Sequence, residues 1–311
     1  MNLGVALTDG VTNHAGNLVD EAVRLTRQAA ELGLRSAWLG QRMDFDSVAL
    51  AGIAGREVPG IAVGTSAVPI FARHPILVSS QAQTTQAATQ GRYTLGLALG
   101  TKAMTEGAFG VPYDRPIARL REFLTALRTL LEEGTARFHG EILTAAPPMP
   151  AAVAGAEPPV PVLVAAMGPQ ALRVTGELAD GILPLFATPK VLAQHIVPAV
   201  TAAAQRAGRG APRIAALVPG LVTTDLDTAR EAAATATAFY DQIPSYQRMT
   251  ELAGASRTSE LVTFGDEQAV ATVVQDYFDA GATEVIFTET NLLGEEARLR
   301  TWRLLGELAR G

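Results

Sequence analysis

The chain has 311 residues, of which 48% are hydrophobic and 18% charged, and its formal net charge at pH 7 is −6. Such an apolar fraction provides a large core and excludes disorder of the whole chain. The acidic balance disfavours a nucleic-acid partner, which needs clustered lysine and arginine, and the absence of cysteine excludes disulfides, thiolate nucleophiles and cysteine-ligated metals.

The N-terminus reads as a strand, with no basic region followed by a long apolar stretch, so no signal peptide is predicted. No apolar run approaches the roughly 20 residues that a membrane span requires. We therefore predict a cytoplasmic protein with no membrane partner.

Short apolar runs alternate along the chain with longer segments of helical period, which is typical of parallel strands joined by helical crossovers. The predicted strands are residues 3–7, 36–39, 60–65, 93–99, 162–166, 181–185, 214–222 and 284–288. The predicted helices are about 18–32, 47–56, 75–89, 115–132, 169–178, 189–206, 267–280 and 295–309. A small hairpin is expected at 137–143 and an irregular loop at 147–161.

Eight strand–helix units fit a closed (β/α)8 barrel, an α/β fold, better than an open doubly wound sheet. The segment 225–267 is helical in pattern but carries Pro244 and Gly254, so we expect a variable insertion around 240–262, before the last strand. We predict a single domain over residues 1–311.

The loops at the carboxyl ends of barrel strands build the active site, and three of them are rich in small residues. Residues 65–67 allow a flat ligand to approach the backbone, and 100–101 suit a phosphate or a ring edge. Ordinary turns before a helix remain the alternative for both. Residues 165–168 open a helix, whose free N–H groups form a natural anion site.

The four histidines show no metal-binding spacing, so we predict no metal site. His195 lies in a helical pattern and His139 in the hairpin, whereas His14 and His74 follow the first and third strands and so face the ligand side. Neither His14 nor His74 has an obvious carboxylate neighbour in the sequence to orient it. The chain contains no G-x-S-x-G motif and no dinucleotide fingerprint after the first strand.

Four segments taken together resemble the luciferase-like monooxygenase superfamily: 64–75, YTLGLALG at 93–100, the helical stretch at 109–131, and 161–184. The resemblance covers essentially the whole chain apart from the insertion. It is closest to the branch that uses the 5-deazaflavin coenzyme F-420 in place of FMN.

This resemblance implies a (β/α)8 barrel, usually a homodimer, with the tricyclic ring at the carboxyl ends of the strands. It implies a cis peptide between Ser66 and Ala67 against the ring, the coenzyme side chain beside residues 100–101, and its phosphate on the backbone of 165–168. The implied cofactor-binding residues are Thr65, Ser66, Ala67, Gly100, Thr101, Ala165, Ala166, Met167 and Gly168.

The sequence departs from the family after the second strand, where members often place an acidic residue and then a histidine. Here the segment reads Leu39-Gly40-Gln41-Arg42, so the family's proton donor cannot be transferred. The candidate catalytic residues are Gln41, Arg42, His74 and Lys102, with Glu106 as a further candidate proton relay. Arg42 or Lys102 would stabilise negative charge on the reduced ring.

We therefore expect an oxidoreductase that moves a hydride between coenzyme F-420 and a small organic substrate. The alternatives are an FMN-dependent monooxygenase supplied with reduced flavin, a Schiff-base aldolase acting through Lys102, and a barrel that binds the deazaflavin without turnover. The expected pocket walls are Thr8, Phe71, Phe109, Phe186 and the insertion.

Overall fold

The computed structural model describes residues 1–7, 10–11 and 16–311. Two sequence expectations, His14 facing the ligand and Thr8 in a pocket wall, lie outside the described residues. The remaining elements follow the predicted alternation of strand and helix closely.

Eight parallel strands follow one another in the order β1-β2-β3-β5-β8-β9-β10-β12, and β12 pairs again with β1. This is the strand order of a (β/α)8 barrel, so the predicted fold class is confirmed. The strands are β1 (Leu3–Ala6), β2 (Ser36–Leu39), β3 (Ala62–Thr65), β4 (Val68–Pro69), β5 (Tyr93–Ala98), β6 (Phe138–His139), β7 (Thr144–Ala145), β8 (Val162–Ala165), β9 (Gly181–Ile182), β10 (Arg213–Val222), β11 (Thr263–Gly265) and β12 (Glu284–Thr288). Of the others, β4 pairs with β5, β11 pairs with β10, and β6 and β7 form the antiparallel hairpin.

The helices begin and end near the predicted residues. They are α1 (Leu18–Glu31), α2 (Ser47–Glu57), α3 (Pro75–Ala88), α4 (Lys102–Phe109), α5 (Pro116–Glu133), α6 (Pro169–Leu178), α7 (Pro189–Val191), α8 (Val197–Arg206), α9 (Leu226–Thr237), α10 (Pro244–Ala253), α11 (Glu267–Asp279) and α12 (Glu295–Arg310). A π-helical turn, Leu192–Ile196, joins α7 to α8. The predicted insertion holds α10 between two 3-10 turns, Tyr240–Gln242 and Thr258–Leu261.

One helix, α4, was expected to be loop. The Thr101 hydroxyl accepts a hydrogen bond from the Met104 N–H at 3.2 Å and so caps its first turn. Gly110, with a φ of 64°, ends the helix in the left-handed conformation that glycine adopts without steric cost. Two local caps therefore stabilise this helix of eight residues.

The chain divides into two compact units. Unit one comprises residues 1–38, 183–199 and 213–311, and unit two comprises 39–182 and 200–212. Every residue predicted to bind the cofactor or to act in catalysis belongs to unit two. The single-domain assignment stays a prediction.

In unit one, a buried carboxylate joins the first residues of three strands. Glu284 of β12, 2% exposed, accepts hydrogen bonds from the Ser36 hydroxyl at 2.5 Å and the Trp38 indole N–H at 3.2 Å. The Arg213 guanidinium donates to its other oxygen at 3.1 Å. Because buried polar groups must be paired, this network fixes the amino ends of β2, β10 and β12.

Replacing Glu284 with alanine should lower the free energy of unfolding by about 2–4 kcal/mol, because the buried Ser36 hydroxyl loses its acceptor and Arg213 loses its ion pair. Urea denaturation measures this change. Glu57→Ala, at an exposed position at the end of α2, is the matched control and should change stability by less than about 0.5 kcal/mol. Equal stability of the two variants would contradict the structural role of Glu284.

Candidate active site

The predicted cofactor segments follow strands whose ends are aligned in unit two. Pro69 of β4 lies opposite Ala98 of β5, and Ala98 lies opposite Ala165 of β8. Residues 65–67, 100–101 and 165–168 therefore emerge at one edge of the sheet. The expected cis peptide between Ser66 and Ala67 is present.

Thr65 uses its side chain inside the sheet. Its hydroxyl donates to the Gly96 carbonyl at 3.0 Å, accepts from the Gly96 N–H at 2.9 Å and lies 3.3 Å from the Tyr93 hydroxyl. Burial raises the pKa of Tyr93, which therefore stays protonated at neutral pH. The Thr65 side chain therefore joins β3 to β5. Any ligand contact at this strand end would come from the backbone of residues 66–67.

The turn after β5 is compact because of Gly100. Its φ of 77° is one that side-chain-bearing residues rarely adopt, and a β-carbon there would lie 3.5 Å from that of Pro69. The Thr101 hydroxyl is already engaged as the cap of α4. The backbone of this turn, more than its side chains, is therefore suited to border a ligand.

The first turn of α6 is open. Gly168 is its N-cap and provides no side-chain hydrogen bond, and Pro169 follows at the first helical position. Apart from Gly168 and its two chain neighbours, no atom of the described residues lies within 4 Å of the position that a β-carbon on Gly168 would occupy. The helix dipole and the free N–H groups of the first turn favour an anion at this point.

Arg119 is a functional candidate that the sequence did not reveal. Its Nε is buried without a hydrogen-bond partner, and none of the ion pairs among the described residues includes it. The guanidinium carbon lies 4.8 Å from the centre of the Phe71 ring, which stacks on Tyr113 at 4.6 Å. The Tyr113 hydroxyl donates to the Gly100 carbonyl at 3.4 Å, so this stack adjoins the turn after β5. A buried N–H of a cation that has no partner can pair with an anionic group of a ligand.

A cavity of about 790 Å³ in unit two collects three of the four predicted catalytic residues. It is lined by Gln41, Arg42, Met43, Phe45, Asp46, Pro69, Phe71, Ala72, Arg73, His74, Leu77, Val78, Gln81, Met104 and Phe109. The expected pocket walls Phe71 and Phe109 belong to it, whereas Lys102 and the nine predicted cofactor residues do not. The Lys102 side chain is 71% exposed and its Nζ lies 3.9 Å from Glu106.

Gln41 organises the loop after β2. Its amide nitrogen donates to the carbonyls of Arg42 and Phe45, both at 2.6 Å, and its oxygen accepts from Arg73 at 3.1 Å. Arg42 donates to both carboxylate oxygens of Asp44, at 3.0 and 2.7 Å. These hydrogen bonds fix the side chains of the loop in place. The catalytic roles of Gln41 and Arg42 stay predictions.

His74 links two elements of unit two. Its Nδ1 accepts from the Ile76 N–H at 3.3 Å and so caps α3. Its Nε2 must then carry the proton, which it donates to the Thr144 carbonyl of β7 at 2.9 Å. Both nitrogens are thus occupied structurally, and relaying a proton would require breaking one of these bonds.

We expect His74→Ala to lower the free energy of unfolding by about 1–2 kcal/mol, because it removes a helix cap and the bond to the hairpin. His74→Asn is the matched variant, since asparagine also caps helices, and it should recover about half of the loss. Thermal unfolding compares the three proteins. Unchanged stability of His74→Ala, with turnover abolished, would instead support the predicted proton relay.

Among residues 1–7, 10–11 and 16–311, no cluster of three or more histidine and acidic side chains is arranged to hold a metal ion. In the same part of the chain, no helix has the length and hydropathy to cross a membrane.

Residues 1–284 match the family described as luciferase-like monooxygenase, and the chain belongs to it. An uncharacterised protein of Mycobacterium tuberculosis is 30% identical over 261 residues, which are 80% of this chain and 75% of that protein.

Solved structures of a coenzyme F-420-dependent reductase and of a monooxygenase in complex with FMN share the fold. A coenzyme F-420-dependent tetrahydromethanopterin reductase of Methanopyrus kandleri superposes with a TM-score of 0.79 at 22% identity, covering 98% of this chain and 97% of that one. The oxygenating constituent of the 3,6-diketocamphane monooxygenase of Pseudomonas putida, in complex with FMN, superposes with a TM-score of 0.76 at 17% identity, covering 99% and 97%. At these identities the likeness establishes the fold alone.

Proposed function

We propose that the chain is a coenzyme F-420-dependent oxidoreductase. The observation that carries this proposal is the pair of anion-seeking features in unit two, the open first turn of α6 and the unpaired guanidinium of Arg119. They adjoin neighbouring strand ends, since Arg119 stacks beside the turn after β5 and α6 follows β8. Coenzyme F-420 carries a phosphodiester and further carboxylates, whereas FMN carries one phosphate, so two such features favour the deazaflavin.

The residues present fit such a cofactor. The Gly168 end of α6 would hold the phosphate, Arg119 would hold a second anionic group, and the backbone of residues 66–67 and 100–101 would border the ring and side chain. When bound, the deazaflavin would exchange a hydride with a small organic substrate. The protein would bind and orient the cofactor and the substrate and shield them from water. The hydrogen-bonded loop around Gln41 keeps the shape of the neighbouring cavity fixed.

The alternative of a Schiff-base aldolase has little support. A nucleophilic lysine must be desolvated to lose its proton at neutral pH. Lys102, the lysine near a strand end, is 71% exposed and its Nζ lies 3.9 Å from Glu106, so its side chain is not desolvated.

Titration of the protein with coenzyme F-420, followed by fluorescence, tests the proposal. Arg119→Gln should raise the Kd for coenzyme F-420 about tenfold or more, because a hydrogen bond to a charged group contributes about 1.5–3 kcal/mol. Arg128→Gln is the matched control on the same helix: that arginine is exposed, pairs with Glu132 at 2.6 Å and should leave the Kd unchanged.

Two results would contradict the proposal. One is binding of FMN without binding of coenzyme F-420. The other is turnover that requires reduced FMN and oxygen, which would make the chain a monooxygenase; anaerobic assays separate the two reactions.

A further inference from the structure

The cavity of about 790 Å³ in unit two has a size that is typical of pockets for small organic molecules. Large apolar side chains on its wall are accessible: Met43 is 66% exposed, Leu77 64% and Phe109 39%. They come from three segments, the loop after β2, the helix α3 and the end of α4. Because apolar surface gains free energy when a ligand covers it, these side chains favour an apolar occupant.

The cavity follows α3 for about two turns. His74 caps this helix, and Leu77, Val78 and Gln81 of its first two turns line the cavity. At a rise of 1.5 Å per residue, the wall from His74 to Gln81 is about 10 Å long. A wall of this length fits an elongated molecule of medium size better than a very small one.

The charged groups on the cavity wall are already paired. Arg73 lies 3.2 Å from Asp46, and Arg42 lies 2.7 Å from Asp44. The Asp46 carboxylate also accepts hydrogen bonds from two backbone N–H groups as the cap of α2, so it is held in place. The Nδ1 of His74 accepts a hydrogen bond and therefore carries no proton. An anionic ligand would have to replace an existing ion pair, which favours an uncharged one.

One end of the cavity reaches the strand ends at which the ring of the cofactor would lie. Pro69 is part of the wall, and its β-carbon lies 3.5 Å from the position that a β-carbon on Gly100 would occupy. The Ser66 N–H, at the cis peptide, donates to the carbonyl of Leu39 at 2.9 Å, at the end of β2. The wall residue Gln41 follows in the loop after this strand. The cavity therefore begins beside the backbone that would border the cofactor.

We propose that this cavity is the substrate pocket and that it selects an uncharged organic molecule with an elongated apolar body. The apolar body lies against Met43, Leu77 and Phe109, and the reacting carbon lies at the Pro69 end. The identification of this ligand as the substrate rests on the proposed function.

The matched probes are 2-octanone and octanoate, since both have eight carbon atoms and a carbonyl group and only octanoate is charged. Their Kd values are measured by ligand-observed NMR on the protein without any cofactor. We expect 2-octanone to bind at least about tenfold more tightly than octanoate, because the ketone displaces no ion pair. It should also bind at least about tenfold more tightly than 2-butanone, because its additional methylene groups leave water.

Leu77→Ala should weaken the binding of 2-octanone about three- to tenfold, because part of the apolar wall is lost. Ile53→Ala is the matched control: Ile53 is 43% exposed on α2, does not line the cavity, and its variant should bind 2-octanone as the wild type does. Asp46→Asn tests the charge argument, since asparagine keeps the cap of α2 and removes the charged partner of Arg73. It should tighten the binding of octanoate about two- to fivefold and leave that of 2-octanone unchanged.

The inference is wrong if 2-octanone does not bind, if octanoate binds equally well, or if Leu77→Ala and Ile53→Ala have the same Kd for 2-octanone. Sedimentation velocity compares the oligomeric state of the variants. A changed oligomeric state of Leu77→Ala with an unaltered Kd would assign this surface to a second copy of the chain and would also overturn the inference. Because no cofactor is present, failure to bind coenzyme F-420 would overturn the proposed function separately and leave this result standing.

Discussion

The parallel register of β4, β5 and β8 is the constraint on which the candidate cofactor site depends. Backbone hydrogen bonds place Pro69, Ala98 and Ala165 side by side, so the chain leaves three strands at the same level. Every predicted cofactor residue stands within a few positions of this row. A shift of one residue in any of the three strands would reverse which side chains face the core, so core packing and site geometry are fixed together.

Charge balance distinguishes Arg119 from the arginines that line the cavity. Around the cavity, Arg42 is paired with Asp44 and Arg73 with Asp46, so the arginines there are already neutralised. Arg119 instead lies on the face of Phe71, where the ring quadrupole supplies only part of what a carboxylate would provide. The difference identifies where an anionic group of a ligand would contribute most free energy of binding.

Much of the fold is predictable from periodicity, and the reasons for the exceptions are local. The strands β5 and β8 and the helices α5 and α12 have strong patterns and end within one or two residues of prediction. The helix α4 depends on the Thr101 cap and the Gly110 terminus, which sequence periodicity does not report. In the site, small residues at strand ends predict where a ligand approaches the backbone, and this stays a prediction. Arg119 could not be found, because its partner Phe71 is 48 positions away and an arginine in a helix ordinarily faces solvent. His74, judged by its position in a loop, proved to cap α3.

The most direct measurement is hydrogen–deuterium exchange of the backbone with and without coenzyme F-420. If the aligned strand ends hold the deazaflavin, amide protection should increase at residues 65–68, 98–104 and 165–172 and should be smaller with FMN. Unchanged amide protection in these three segments, or an increase that appears only with FMN, would contradict the assignment of the cofactor site.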